Sequence, residues 1–320
     1  MYEIHIDTEN DSLFQGTKKA ANIWKKKSAT KVNNLTQRDI EDMFKLEQED
    51  YPREIVPFAD HPDFLSAPEE LKQDVLSWGA IAYNNGAVSA EEKVSNPAFL
   101  MILRDVFPGT SHEAIKLSAA QAIVDESYHI LLHTYGTNII YRKRNLKPLT
   151  IPDYLPSRIL NQLKENVSLT WEKNLLTLVF AVVSEASVNA YLNLIANNTT
   201  IQPLFQKIAK LHSDDEYRHA KVCSEIIKSI YLHFNQDQKN LFIKTYKIGL
   251  EKILAHDFDT WESILVQLGF KKAKEIINDC RNMPEKSHLV RDYTFHKKFA
   301  EEMGIFELLD FDFSKTKIVN

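Results

Sequence analysis

Two copies of one pattern carry most of the chemistry this chain could perform. They are Asp125-Glu126-Ser127-Tyr128-His129 and Asp215-Glu216-Tyr217-Arg218-His219. In each, a Glu and a His stand three residues apart, so a helix would present them on one face. Carboxylate and imidazole together suit iron, manganese and similar divalent ions. Two such pairs on facing helices, with one further Glu from each of two more helices, are how a helical bundle holds a pair of metal ions. A single Glu-x-x-His carries little weight. Two copies 90 residues apart, each with Asp before the Glu and each in a helix-forming stretch, point to a metal centre.

The remaining carboxylates must come from the other two helices. Glu185 lies in the most apolar helical stretch, Leu178 to Ser187, and is the one acid between Glu172 and that helix's end. Buried without a partner it would cost several kcal/mol, and a cation removes that cost. The fourth carboxylate is Glu91 or Glu92, which point about 100° apart, so only one can face the metals. Glu91 precedes Glu126 by 35 residues and Glu185 precedes Glu216 by 31, comparable hairpin lengths that favour Glu91. His212, Glu216 and His219 follow i, i+4, i+7 and share a face. Spacing alone leaves His212 either a third ligand from that helix or a core histidine. Asp125 and Asp215 turn away from the metals and suit the task of orienting ligands, because a ligating histidine donates its other N–H to a carboxylate, carbonyl or water. We expect Asp125 to serve His219 and Asp215 to serve His129.

Four long helices must position these residues. One begins near Pro68 and runs to about Val94, where Ser95-Asn96-Pro97 interrupts or kinks it. The next runs from a Ser111 cap to about Arg142. A long break with Pro148, Pro152 and Pro156 reads as the crossover of a ferritin-type bundle. The third helix covers about 167–196, and Pro203 opens the fourth, which continues to about Phe234. The fold class is therefore all-α, a ferritin-like four-helix bundle with extra N- and C-terminal helices. We expect a single domain over 1–320, with its bundle core at about 69–232. Residues 1–68 form an arm, with a Thr36-capped helix through Ile40, Met43 and Phe44, then a Pro-spaced extended connector. Segments at 241–254, 261–268 and 273–280 buttress the bundle from within 233–320, and the tail from Phe306 has no clear period.

Composition excludes several other classes. The 320 residues are 44% hydrophobic and 26% charged, with 39 basic and 44 acidic side chains. No basic stripe favours nucleic acid. The run Leu175 to Val183 is too short to span a bilayer, so no membrane association is expected. Two cysteines, Cys223 and Cys280, read as reduced thiols, and Met1 to Asp7 lacks the apolar segment of a signal peptide, so we expect a cytoplasmic protein. Of the neighbouring side chains, Tyr128 and Tyr217 read as core packing with satisfied hydroxyls or as groups near the metals. His133 reads as a structural histidine, Arg218 as a surface ion-pair partner, and Asn189 as a residue that could reach a substrate cavity.

A Glu, a DE-x-x-H, a second Glu and a second DE-x-x-H resemble the di-iron carboxylate oxygenases. The added histidine in His212-Ser213-Asp214-Asp215-Glu216-Tyr217-Arg218-His219 is more specific, and resembles the p-aminobenzoate N-oxygenase (AurF-like) family. The resemblance covers about 69–232. It implies Glu91, Glu126, His129, Glu185, His212, Glu216 and His219 as ligands of two iron ions. It also implies dioxygen-dependent oxidation of a small-molecule amine to hydroxylamine, nitroso or nitro products through a peroxo-bridged di-iron(III) species. Manganese with iron suits the same donors. Electrons must come from an external donor of ferredoxin or flavin reductase type, because the chain has neither a dinucleotide fingerprint nor a cysteine cluster. The alternatives are another di-iron oxidation, at a C–H bond or by desaturation, and a non-catalytic ferritin-like iron-binding protein. A monomer or homodimer is expected rather than a storage shell.

Overall fold

The computed structural model describes residues 15–289 and 292–316 of the chain. The segment Met1 to Asp7, read above for a leader, lies outside the described residues. The arm holds α1 (Gln15–Lys27), α2 (Ala29–Val32), α3 (Gln37–Glu41) and α4 (Pro62–Leu65). The bundle follows with α5 (Glu69–Ala90), α6 (Asn96–Leu103), α7 (Glu113–Arg144), α8 (Leu155–Glu165), α9 (Thr170–Ala196) and α10 (Pro203–Tyr231). The C-terminal part adds α11 (Gln236–Lys252), α12 (Phe258–Gln267), α13 (Ala273–Arg281) and α14 (Thr294–Glu302). Among the described residues the only β pairings are two isolated bridges, Glu49 with Ile201 and Ala255 with His288.

Two antiparallel hairpins make the bundle, α5 with α7 and α9 with α10, and α7 packs on α10 to join them. Helix α9 is covered by α10, α11, α8 and α6, which explains why it is apolar all round. It is also long and apolar enough to cross a membrane, and 78% of its most apolar stretch is buried inside the protein. That revises the expectation drawn from the shorter run Leu175 to Val183. The burial is that of a core helix.

The chain departs from the sequence expectations in ways that have local causes. Ser95-Asn96-Pro97 does not break the first long helix. Residues Glu91–Ser95 form a π turn that carries α5 into α6. The wider turn, in which the Asn96 amide bonds back to the Glu91 carbonyl, carries the helix past Pro97 without a break in the chain's course. The cap of α7 is His112, whose Nδ1 accepts from the Ala114 amide, while the Ser111 hydroxyl donates to Asp105. The proline-rich crossover is not irregular throughout: Pro156 sits in the first turn of α8, which packs on α9. Thr36 does cap a helix, sharing a reciprocal pair of bonds with Asp39, but α3 ends at Glu41, before Met43 and Phe44. The connector after it carries a 3₁₀ turn at Arg53–Ile55 and α4. The tail is an ordered strap as far as Thr316, pinned by stacking of Phe306 on Phe313 and edge contact of Phe311 with Tyr293 and Phe313.

Helix α14 is anchored by His296, fully buried between Ser187 Oγ (2.8 Å) and the Tyr246 hydroxyl (2.7 Å). Burial lowers its pKa to about 4, and burial aided by nearby His288 and Lys286 does the same for His256. Both are therefore neutral in the folded protein while the unfolded chain takes up protons below about pH 6.5. Their neutral burial costs nothing above that pH. As pH falls from about 6.5 to 4, stability declines by up to about 3 kcal/mol for each. Denaturant titrations at pH 7, 5 and 4 should give a shallower decline for His296→Gln than for the parent protein. Equal declines would place the proton uptake elsewhere.

Candidate metal centre

Each long helix delivers its share of one buried cluster. Glu91 opens the π turn after α5, Glu126 and His129 lie in α7, Glu185 in α9, and His212, Glu216 and His219 in α10. None of the seven is more than 5% exposed. Glu92 points to solvent. Of the two adjacent acids, only Glu91 enters the cluster.

The seven side chains gather into two groups of donor atoms, each within 4.8 Å: Glu91, Glu126, His129, His212 and Glu216, and Glu126, Glu185, Glu216 and His219. Glu126 and Glu216 belong to both, as bridging carboxylates must. His129 Nδ1 stands 2.9 Å from Glu126 and 3.7 Å from Glu216. His212 Nε2 stands 3.3 Å from both Glu91 and Glu216. His219 Nδ1 stands 2.8 Å from Glu126, 3.1 Å from Glu216 and 3.5 Å from Glu185. Two donors held at right angles about 2.1 Å from one cation are about 3 Å apart. The observed spacings therefore match edges of a coordination shell.

The electrostatics also call for cations. Glu126 Oε1, Glu185 Oε2 and His212 Nε2 are buried with no hydrogen-bond partner, each a cost of roughly 1–3 kcal/mol. Burial, then the Glu91 carboxylate, push Glu126 well above the ordinary range; burial, then Glu216 and Glu126, do the same to Glu185. Burial presses Glu216 upward too, but the charges of His219 and His212 outweigh it and hold it well below. Four carboxylates balance two divalent cations, so the donor set fits a dinuclear metal site.

A second layer orients the ligands. His129 Nε2 faces Asp215 at 3.2 Å and His219 Nε2 faces Asp125 at 3.3 Å, each pairing crossing between α7 and α10. With Nε2–H donated to an aspartate, each ring keeps its Nδ1 lone pair for the cluster. Burial tends to raise Asp125, yet His219, Ser28 and Thr30 hold it at about 2. His212 is oriented differently. Its Nδ1 lies 2.9 Å from His133 Nε2, and His133 Nδ1 lies 2.8 Å from Asn84 Oδ1. Burial, reinforced by the neighbouring His212 and His129, drives the His133 pKa far down, so His133 accepts from His212 and donates to Asn84.

The arm contributes what sequence reasoning missed. Trp24 Nε1 donates to Asp125 at 2.9 Å, Ser28 Oγ donates to it at 2.5 Å, and the Thr30 hydroxyl donates as well. The Ala29 amide donates to Asp215 at 3.1 Å. Three closely spaced donors about the junction of α1 and α2 were the available signal, but nothing in the sequence says which carboxylate they meet. Arg218 is not a surface partner: it pairs with Asp215 and stands 3.5 Å from Asp125, with only 13% of its side chain exposed. Tyr217 is 76% exposed, so it neither packs in the core nor approaches the metals. The Tyr128 hydroxyl is buried without the partner expected for it. Asn189 accepts from Ser213 and lines a groove against α14, away from the cluster.

A cavity of about 300 Å³ reaches the cluster, bordered there by Glu91, Glu185, His212 and Glu216. The model of the family described as p-aminobenzoate N-oxygenase AurF matches residues 19–304. That range runs from within α1 through α14, including most of the arm and the C-terminal helices, well beyond the segment that carries the motifs. A 4-aminobenzoate N-oxygenase from Streptomyces thioluteus is 35% identical over 268 residues, which is 82% of this chain and 79% of the relative. Donor set, fold and similarity over nearly the whole chain agree, and the protein belongs to the AurF family of p-aminobenzoate N-oxygenases.

Proposed function

We propose that this protein is a dioxygen-dependent di-iron N-oxygenase, with Glu91, His129 and His212 on one metal, Glu185 and His219 on the other, and Glu126 and Glu216 between them. The observation that carries the reading is the pair of donor groups sharing two glutamates, buried in a chain of this family. The Streptomyces thioluteus relative is named for N-oxygenation of 4-aminobenzoate, an amine, and an amine is the substrate class assigned here. The first oxidation balances as R–NH₂ + O₂ + 2 e⁻ + 2 H⁺ → R–NHOH + H₂O, with both electrons from an external reductase or ferredoxin.

When bound, the two irons supply the activation of dioxygen. The residues do the rest. Asp125 and Asp215 hold the Nε2–H of His219 and His129, which fixes both rings with Nδ1 toward the centre. The Ser95 hydroxyl, brought inward by the π turn, donates to Glu185 and holds that carboxylate in place. His133 keeps the His212 proton on Nδ1. The apolar wall of α9 keeps water from the cluster, so that oxidising equivalents meet the amine rather than solvent. The amine reaches the centre through the cavity and must be unprotonated to offer its lone pair.

Iron(II)-loaded protein given an arylamine, a chemical reductant and ¹⁸O₂ should yield products in which mass spectrometry finds the label on nitrogen. Label on carbon, or a desaturated product without label, would contradict the proposal.

A further inference from the structure

The metal centre is buried, so electrons have to cross protein to reach it, and the arm offers a way in. From Gln15 to Leu35 the chain carries six lysines and no acid. Lys25, Lys26, Lys27 and Lys31 are all exposed. Elsewhere lysines meet carboxylates, as Lys93 meets Asp153 and Lys116 meets Asp105. Among the described residues, Lys25, Lys26 and Lys27 meet none. They close the last turn of α1, where the helix dipole favours cations. Three adjacent like charges still repel one another, and an anionic partner relieves that repulsion.

Trp24 stands directly before this run, half-buried, with Lys31 Nζ 4.7 Å from the centre of its ring. Its Nε1 donates to Asp125 Oδ2 at 2.9 Å, and the same oxygen lies 3.3 Å from His219 Nε2. His219 Nδ1 faces Glu126 and Glu216 in the cluster. One indole, one carboxylate and one imidazole therefore join the lysine patch to the centre through two hydrogen bonds. The cavity approaches from elsewhere: none of its described lining residues comes from α1, α2 or α7. A partner on the arm leaves the amine's entry open.

We infer that Lys25, Lys26, Lys27 and Lys31 dock an acidic [2Fe–2S] ferredoxin, and that Trp24, Asp125 and His219 carry its electrons inward. The inference rests on the di-iron reading and deepens it by giving the donor its place. Charge steers such short-lived encounters, and electron-transfer interfaces are small enough for one helix end to anchor them. Two dockings complete the step: 2 ferredoxin(red) + 2 Fe³⁺ → 2 ferredoxin(ox) + 2 Fe²⁺. No bond forms or breaks, and Trp24 ends in the state in which it began.

Stopped-flow reduction of the diferric protein by a plant-type [2Fe–2S] ferredoxin, read at the ferredoxin's visible band, needs no amine. The second-order rate should fall at least about 10-fold between about 20 and about 300 mM salt. K25E/K26E/K27E should cut the low-salt rate at least about 10-fold, and calorimetry should show ferredoxin binding weakened to match. Turnover driven by dithionite should be unchanged in that variant. K244E/K271E/K274E makes the same charge change on α11 and around α13, and should stay within about 3-fold of the parent. Parental rates in the first triple variant, or equal losses in both, would overturn the docking site. At saturating ferredoxin, Trp24→Phe in its iron-saturated form should slow reduction by about 10-fold or more with ferredoxin affinity unchanged. Equal slowing in S28A/T30V, which loosens Asp125 but keeps Trp24, would take Trp24 out of the route. Amine products oxidised at carbon would sink the N-oxygenase reading, while these rates would still judge the docking site.

Discussion

Glu126→Gln should lose both metals, not one. Glu126 belongs to both donor groups, so removing its charge leaves each cation short of a ligand. Changes one layer further out already cost about 10–100-fold in metal affinity, and loss of a bridging ligand should exceed that. N-oxygenation should fall by at least on the order of 100-fold, and iron content should drop far below two per chain. The stability of the metal-free protein should move the other way. There the substitution removes a carboxylate that burial and Glu91 disfavour, so the apoprotein should be unchanged or more stable by about 1–3 kcal/mol. Metal analysis beside thermal unfolding of apo and loaded protein checks both arms. Retention of two irons, or a large loss of apoprotein stability, would show Glu126 to be a structural residue.

The second large effect is expected far along the chain from any ligand. Replacing Ser28 by Ala and Thr30 by Val together removes two hydroxyls that hold Asp125, leaving Trp24 as its donor from the arm among the described residues. Hydrogen bonds to a charged group contribute roughly 1.5–3 kcal/mol each. Asp125 should then hold His219 less firmly, and iron affinity should fall about 10–100-fold. The helices do not depend on these bonds, so far-UV circular dichroism should be unchanged. A competitive chelator titration reads the affinity. Unchanged affinity would reduce the arm to a cover over the bundle.

Much of this architecture is written in local patterns. The paired Glu-x-x-His motifs, the isolated Glu185 and the i, i+4, i+7 run at His212 are periodic signals, and a helix turns periodicity directly into a shared face. The Asp125–His219 and Asp215–His129 pairings followed from the near-symmetry of the two motifs. What stayed hidden depends on contacts between segments distant in sequence. Hairpin lengths already favoured Glu91 over Glu92, but the π turn at Glu91–Ser95 on which it sits was not legible from Ser95-Asn96-Pro97. His133 and Asn84 look like ordinary helix residues until α5 and α7 are packed together. Trp24, Ser28 and Thr30 lie about a hundred residues from Asp125, and no spacing rule connects them. Arg218 looked solvated because its neighbours in sequence are polar, yet it turns inward to Asp215 and Asp125. Helix α8 was concealed by prolines that read as breaks, although Pro156 lies in its first turn.

In the proposed function, four helices hold two adjacent metal ions that share Glu126 and Glu216. Crystals of iron-loaded protein, measured at the iron absorption edge, test it directly. Two anomalous peaks per chain are expected, one beside His129 and His212, the other beside His219 and Glu185. A single peak, or iron bound away from these side chains, would contradict it.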